Sequence, residues 1–359
     1  MATKPGHHYG GAKIEDGAYK QLQELRCMSL EAKVERSLNV ISCWYEAWDG
    51  KVAVSYSGGK DSSVVLHLVR SLFPDVPAVF CNTGLEYPEV VRAVKATPGS
   101  VLLRPAMPFH HVVSTYGWPL ISKRVARGVN ILRNPTGANA NIWKLYDEGV
   151  NRFGEPVQGF KVPARWRCLV NAPFNVSDRC CQVMKKDPMH RYQRETGRMP
   201  YIGLLATDSK AREKNYLQHS CNAYDIKNPR SAPLGFWTEQ DVLKYIASRN
   251  LKIPSVYGQI VRDENGQLRT TGVSRTGCVF CGFGLHLDER PTRFQRLATT
   301  HPRLWDYVMN RLGMNDVLAY LRREAADTVA WRFNPEAVAM PCREHQLSFV
   351  EAEEAEAVA

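Results

Sequence analysis

The stretch KVAVSYSGGKDSSVVLHLVRSL, Lys51 to Leu72, changes character twice within 22 residues. Lys51–Tyr56 is a short β-branched run and predicts a strand. Ser57-Gly58-Gly59-Lys60-Asp61-Ser62 interrupts it, and beyond this Val64, Val65, Leu68, Val69 and Leu72 recur at the spacing of one helix face. Downstream, Val76–Cys81 (VPAVFC) predicts a second strand ended by Asn82-Thr83-Gly84, and Pro88 suits the first turn of another helix. Val101–Leu103 predicts a third strand. Strand, helix, strand, helix, strand is the pattern of a parallel sheet with crossover helices, so an α/β fold is expected.

The interruption carries the chemistry. Two glycines let the backbone turn tightly and approach an anion without interference from a Cβ. The helix start behind them offers unpaired N–H groups and the positive end of its dipole. Lys60 adds a charge, Ser57 and Ser62 add hydroxyl donors, and Asp61 is a carboxylate suited to magnesium. The glycine spacing is not that of a Walker A motif. A plain Gly-Gly turn capped by Asp61 is the competing reading. A strand before, a helix after and a lysine beside the glycines favour a phosphate loop, with Lys60 and Asp61 as its catalytic pair and Ser57, Gly58, Gly59 and Ser62 binding nucleotide.

Working outward, residues 19–48 read as helical, with Leu30, Val34, Leu38, Ile41 and Tyr45 three or four apart. Residues 121–180 hold ten Lys/Arg against four Asp/Glu, with Trp143, Tyr146, Phe153, Phe160 and Trp166 interleaved, and read as a basic insertion or lid. Tyr201–Leu205 (YIGLL) resumes the sheet. Thr238-Glu239-Gln240-Asp241 is a capping box, with Trp237 stapling toward Val242, and its helix runs to about Arg249. A helical pattern returns from Pro302 to about Arg323. The expected organisation is an N-terminal helical segment over 1–49, a main domain over 50–290 that includes the insertion, a helical part over 291–349 and an acidic tail over 350–359.

Composition excludes several classes. Apolar residues are 44% and charged residues 23% of 359, too apolar for wholesale disorder. No apolar stretch approaches the ~20 residues of a membrane helix. The opening MATKPGHHYGGAK lacks an apolar run followed by a cleavage site, so a cytoplasmic protein without a membrane partner is expected. Net charge is +11 although the last ten residues hold four glutamates and no base, so the body is more basic still. Such a balance favours an anionic partner, either nucleotide phosphates or a nucleic acid, against the bland alternative of a soluble cationic surface.

Ten cysteines are far too few for a disulfide scaffold in a chain of this length. Cys180-Cys181 and Cys278-Val279-Phe280-Cys281 are the clustered ones, and C-x-x-C lets two thiolates hold one metal centre. An iron–sulfur cluster, a Cys₄ zinc site or unrelated buried thiols all remain open from the spacing. Cys168 is a spare ligand candidate, while Cys27, Cys43, Cys81 and Cys221 read as ordinary core residues.

SGGKDS after a strand resembles the pyrophosphate loop of the ATP pyrophosphatases, which implies an adenine-nucleotide α-hydrolase-like fold with a Rossmann-like parallel sheet. Asn82-Thr83-Gly84-Leu85-Glu86-Tyr87-Pro88-Glu89 is similar to the D-T-G-x-x-F-P-E segment of the phosphoadenosine phosphosulfate (PAPS) reductase-like branch. That places Thr83 and Gly84 beside the nucleotide. Pro233-Leu234, Trp237, Asp241-Val242 and Tyr245-Ile246 resemble the same branch's P-L-x-x-W-x-x-x-D-V-x-x-Y-I stretch. The CC and CxxC pair resembles the site at which adenylyl-sulfate reductases bind a [4Fe-4S] cluster. The resemblance therefore implies Cys180, Cys181, Cys278 and Cys281 as cluster ligands, with zinc as the fallback. The flanking Lys185-Lys186 and Ser274-Arg275-Thr276-Gly277 also look like that group.

The departures are informative. Dedicated sulfonucleotide reductases have a degenerate phosphate loop, whereas SGGKDS is intact. Their terminal E-C-G-L-H appears as Pro341-Cys342-Arg343-Glu344-His345, and their G-x-R-x-x-x-S-x-x-R as Gly203 to Arg212 with Leu205 at the first arginine. Ser209 and Arg212 survive and, with Arg275, are the expected grip on a substrate anion. With its intact loop and clustered cysteines, the chain resembles the iron–sulfur ATP-pyrophosphatase subunit of DNA phosphorothioation systems. The resemblance implies ATP with Mg²⁺ as substrate, release of AMP and pyrophosphate, and an acceptor that is a nucleic acid or a small molecule. It also implies a protein sulfur donor. Two other classes stay open: a phosphoadenylyl-sulfate reductase that takes electrons from a thiol reductant protein and depends on Cys342, and a non-catalytic nucleic-acid-binding module.

Overall fold

The computed structural model describes residues 14–224 and 226–325. Cys342 and the acidic tail lie outside the described residues. Contacts divide the chain into two compact units, one formed by the chain up to Val112 with Arg179–Cys278, the other by Val113–Asp178 with the chain from Val279 onward.

Ten strands occur among the described residues. They are β1 (Val52–Ser55), β2 (Ala78–Cys81), β3 (Ser100–Leu103), β4 (Leu120–Ile121), β5 (Met199–Ile202), β6 (Asn222–Ala223), β7 (Arg230–Ser231), β8 (Ile260–Arg262), β9 (Leu268–Thr270) and β10 (Gly282–Phe283). The first unit holds a six-stranded sheet in the order β3-β2-β1-β5-β7-β6. All its pairings are parallel except β6 with β7, so the expected Rossmann-like α/β architecture is the observed one. The chain runs from β1 outward to β3 on one side and restarts at β5 on the other. A crevice at the carboxyl ends of β1 and β5 follows from that reversal, and it is where open α/β sheets bind ligands.

Val52, Ala53 and Val54 are all buried, as a strand covered on both faces requires. Ala53 and Val79 pack against Tyr192 and Met189 of the helix Asp187–Thr196. The helix Lys60–Leu72 lies against β1 and β5 and carries the helices Leu30–Ala47 and Glu239–Ser248 on its back. Its buried Val64, Val65, Leu68 and Val69 are the apolar face anticipated from the sequence.

The single helical run expected over 19–48 is two helices, Ala18–Cys27 and Leu30–Ala47. Met28 closes the first and Ser29 caps the second, its Oγ accepting from Ala32 N at 3.2 Å. Cys27 and Cys43 correct a second expectation: both are exposed rather than core. Cys43 lies between the buried Ile41 and Trp44 on the outward arc of its helix, a position where a small thiol needs no partner.

In the second unit β4 pairs in parallel with β10, Gly282 opposite Leu120. The basic segment carries an apolar interior, in which Val125, Val129 and Leu132 of the helix Lys123–Arg133 are buried, as are Tyr146, Val162 and Trp166. Some of its arginines serve the fold: Arg133 donates to the carbonyls of Ala172 and Phe174, each at 2.9 Å. Lys123, Arg124 and Arg127 remain exposed. The helical run expected from Pro302 is interrupted, with a π-helical turn at Tyr307–Arg311 and a restart at Met314 after Gly313 in a left-handed conformation.

Candidate active site at the sheet switch point

The phosphate loop leaves β1 and enters the helix Lys60–Leu72 at the switch point, within the first unit. Gly58 has φ +68°, and a Cβ there would lie 2.7 Å from Val90 Cγ1 and 2.9 Å from Val94 Cγ2, so only glycine fits. The serines hold the turn: Gly59 N donates to Ser57 Oγ at 3.3 Å, and Ser62 Oγ donates to Gly59 O at 2.9 Å. The two serine hydroxyls lie 3.0 Å apart. On the neighbouring strand, Gly203 follows β5, and a Cβ on it would meet Ser62 N at 2.9 Å and Asp61 C at 3.1 Å. The two loops therefore touch backbone to backbone.

Lys60 is buried, and its ammonium meets Glu239 Oε1 at 3.1 Å, Asp61 Oδ1 at 3.4 Å and Ser274 O at 3.2 Å. Burial works against its charge, but Asp61 and Glu239 outweigh it and raise the pKa above the usual lysine value. Burial pushes the Asp61 carboxyl up; Lys60 opposes this, and Asp208 adds to the rise. Asp61 Oδ1 is closed off from solvent and touches Lys60 only at that long 3.4 Å. Asp208 is shared by two guanidiniums, Arg212 on one oxygen and Arg275 on the other.

Three groups at this site were missed from sequence. Tyr257 Oη accepts from Lys60 N at 3.1 Å and lies 3.0 Å from Thr276 Oγ1. Glu239, which lies inside the capping-box stretch without a role there, is the closer carboxylate on Lys60. Asp208 gathers Arg212 and Arg275. Of the residues expected to bind an anion, Arg212 and Arg275 are brought together, while Ser209 caps the helix Lys210–His219 by accepting from Arg212 N at 3.3 Å.

Beyond β2, Thr83 and Gly84 sit in a turn organised by Glu86. Its carboxylate accepts from Thr83 N at 3.1 Å and from Thr83 Oγ1 at 2.8 Å. Lys185 pairs with Glu86 at 3.4 Å and also bonds Cys278; burial disfavours its charge, but Cys278 and Glu86 prevail and raise its pKa. Cys81 Sγ donates to Met184 O at 3.0 Å, and burial with the nearby Glu86 pushes that thiol up to about 11.

None of the four clustered cysteines forms a disulfide. Cys180, Cys181 and Cys278 belong to the first unit and Cys281 to the second, its carbonyl accepting from Arg293 at 3.1 Å. Among the described residues no group of three or more His, Cys, Asp or Glu is gathered as a metal site. Cysteine thiolates are the donor type that an iron–sulfur cluster takes. Cys168 lies in the second unit, its carbonyl accepting from Tyr320 Oη at 2.9 Å.

A doubly wound sheet with a Gly-Gly-Lys-Asp loop at its switch point defines the class, an α/β protein whose loop lies where such sheets place their ligand crevice. Within that class the chain belongs to the phosphoadenosine phosphosulfate reductase domain family, whose model matches residues 51–106 and 144–282. Two uncharacterized proteins of Methanocaldococcus jannaschii are similar to it, one 25% identical over 85% of this chain and the other 23% identical over 75%. The chain spans 58% and 43% of those relatives. A phosphoadenylyl-sulfate reductase from Candida auris aligns over 72% of this chain and all of its own, at 14% identity and a TM-score of 0.35. Among the described residues no helix is long and apolar enough to cross a membrane.

Proposed function

We propose that the protein is an ATP pyrophosphatase that activates an acceptor for sulfur transfer. The observation that carries this reading is the intact loop, in which a buried Lys60 stands at a helix N-terminus beside Asp61, whose Oδ1 is closed off from solvent. Loop amides and the Lys60 ammonium hold the β- and γ-phosphates, the role such groups play wherever phosphoryl chemistry depends on positioning and charge. Asp61, with Asp208 close by, is suited to Mg²⁺, which takes one or two carboxylates and completes its shell with phosphate oxygens. An acceptor oxygen attacks the α-phosphorus, the bond to the α,β-bridging oxygen breaks, and pyrophosphate leaves with the electron pair. A sulfide-level sulfur nucleophile then attacks the activated atom of the acceptor, its bond to the adenylated oxygen breaks, and AMP departs with that oxygen and the electron pair. The test is magnesium-dependent formation of AMP and pyrophosphate from ATP, with candidate acceptors added.

Family membership favours a second reading, reduction of a sulfonucleotide with release of sulfite. Sulfite formed from a sulfonucleotide and a thiol, without ATP, would select it.

Cys180, Cys181, Cys278 and Cys281 would hold an iron–sulfur cluster, which supplies sulfur or redox chemistry when bound. Protein purified without oxygen is expected to contain iron and acid-labile sulfide in about equal amounts, as in a cubane on four thiolates. Serine at any of the four positions should remove both. Stoichiometric zinc without iron overturns the assignment.

A further inference from the structure

Two carboxylates and a carbonyl share the Lys60 ammonium, and they are not equivalent. Asp61 is its neighbour in the chain and touches it at 3.4 Å, so it stays beside the lysine whatever the loop binds. Ser274 O, at 3.2 Å, carries no charge. Glu239 Oε1, at 3.1 Å, is the nearer carboxylate and comes from a separate helix. Its side chain is 46% exposed, against 3% for Lys60.

The origin of Glu239 makes its hold reversible. It is the first residue of the helix Glu239–Ser248, whose start is fixed by the Thr238–Asp241 capping box and, through Asp241, by Lys33 at 2.7 Å. The helix dipole favours an acid at that end with or without a lysine beside it. The carboxylate can therefore turn from Lys60 to water while the backbone stays in place. For Lys60 the balance is the reverse, because an ammonium shut away from water is costly without a counter-charge. When an anion leaves the loop, Glu239 is the charge that can take its place.

We propose that Glu239 competes with the bound anion for the Lys60 ammonium, a positioning residue that weakens the hold on polyphosphate and lets pyrophosphate go. A phosphate group carries more charge at neutral pH than a carboxylate. A bound polyphosphate therefore wins the ammonium, and Glu239 narrows the margin. That the departing anion is a reaction product rests on the ATP-pyrophosphatase reading; the competition for Lys60 does not.

The test is calorimetric titration of the full-length protein with inorganic pyrophosphate, without nucleotide. Glu239→Gln keeps the length of the side chain and removes its charge. It should bind pyrophosphate about fivefold more tightly, the worth of an ion pair with one partner half exposed. In a Lys60→Ala background the same change should gain nothing, since no ammonium is left to compete for. Should Glu239→Gln lose its thermal transition, Glu239→Ala makes the same comparison. Unchanged or weaker binding in the folded variant overturns the proposal. So does an equal gain without Lys60, which would make Glu239 a repelling charge only. On the pyrophosphatase reading, the variant's KM for ATP should fall by a similar factor while kcat does not rise, and a raised KM overturns the proposal. Tighter pyrophosphate binding in a protein that never releases AMP from ATP would sink the pyrophosphatase reading and leave the competition standing.

Discussion

Lys60→Ala is expected to lose pyrophosphate release by about 10²-fold or more, the usual cost of removing a charge-stabilising group from such a site. Lys60 is held in the cradle by three acceptors, so truncation removes a placed cation and also leaves Asp61 and Glu239 facing one another without it. Asp61→Ala should be as severe if the carboxylate holds Mg²⁺, and raising magnesium should not recover it. The measurement is initial rate of AMP and pyrophosphate formation, with nucleotide affinity measured separately. Cys342→Ser should leave the rate unchanged. A thiol-dependent sulfite release that survives Lys60→Ala but not Cys342→Ser would falsify the pyrophosphatase assignment.

Lys33→Met is expected to produce the largest loss of stability, about 3–5 kcal/mol, the range for breaking a buried ion pair from one side. Lys33 Nζ bonds Asp241 Oδ2 at 2.7 Å and Arg26 O at 2.8 Å, with only 2% of the residue exposed. Asp241 also accepts from Thr238 N and Oγ1, each at 2.8 Å, completing the capping box. Beside it, Trp237 Nε1 donates to Ser37 Oγ at 3.0 Å, and Ser37 Oγ donates to Pro233 O at 2.9 Å. The helix Leu30–Ala47 is thus latched to the segment that presents Glu239 to the phosphate loop. Burial alone would raise the Asp241 pKa, but the bonds from Lys33 and Thr238 lower it overall. A depressed folded-state pKa means that the stabilisation is complete above the unfolded value near 4 and fades as pH falls through the lower folded one. Wild type should therefore lose stability below about pH 4, and this part of the loss should be missing in Asp241→Asn. Chemical denaturation at several pH values checks both expectations.

The core of the fold was legible because β1, β2, β3 and β5 are short apolar runs flanked by turn residues, and parallel central strands bury both faces. β6 and β7 have two residues each, too few for any periodicity. The β8–β9 hairpin has strands of three residues each, too short for a clear alternation, and draws order from partners elsewhere, notably Gln240, whose side-chain amide bonds both Leu268 N and Leu268 O at 2.8 Å. At the site, Ser57 to Ser62 could be read because its chemistry is contiguous. Tyr257 could not, being a lone tyrosine 197 residues from the amide it meets. Glu239 was hidden for a different reason: at a helix start an acid is already explained by the dipole. The interior of 121–180 was obscured by surface residues, since its basic and aromatic content masks the spacing of Val125, Val129 and Leu132.

The Tyr257 hydroxyl makes the resting loop a competitor of its own ligand. It occupies the Lys60 amide, the same N–H a phosphate oxygen would take, so the two cannot be bound there together. Displacing one hydrogen bond worth roughly 0.5–1.5 kcal/mol weakens apparent affinity by about two- to twelvefold. The loss falls on every anion alike, but only one that also draws Lys60 away from Glu239 regains it. On the proposed function, a lone phosphate or sulfate is expected to be held loosely in this cradle, and a polyphosphate long enough to reach both the amide and the ammonium to be held well.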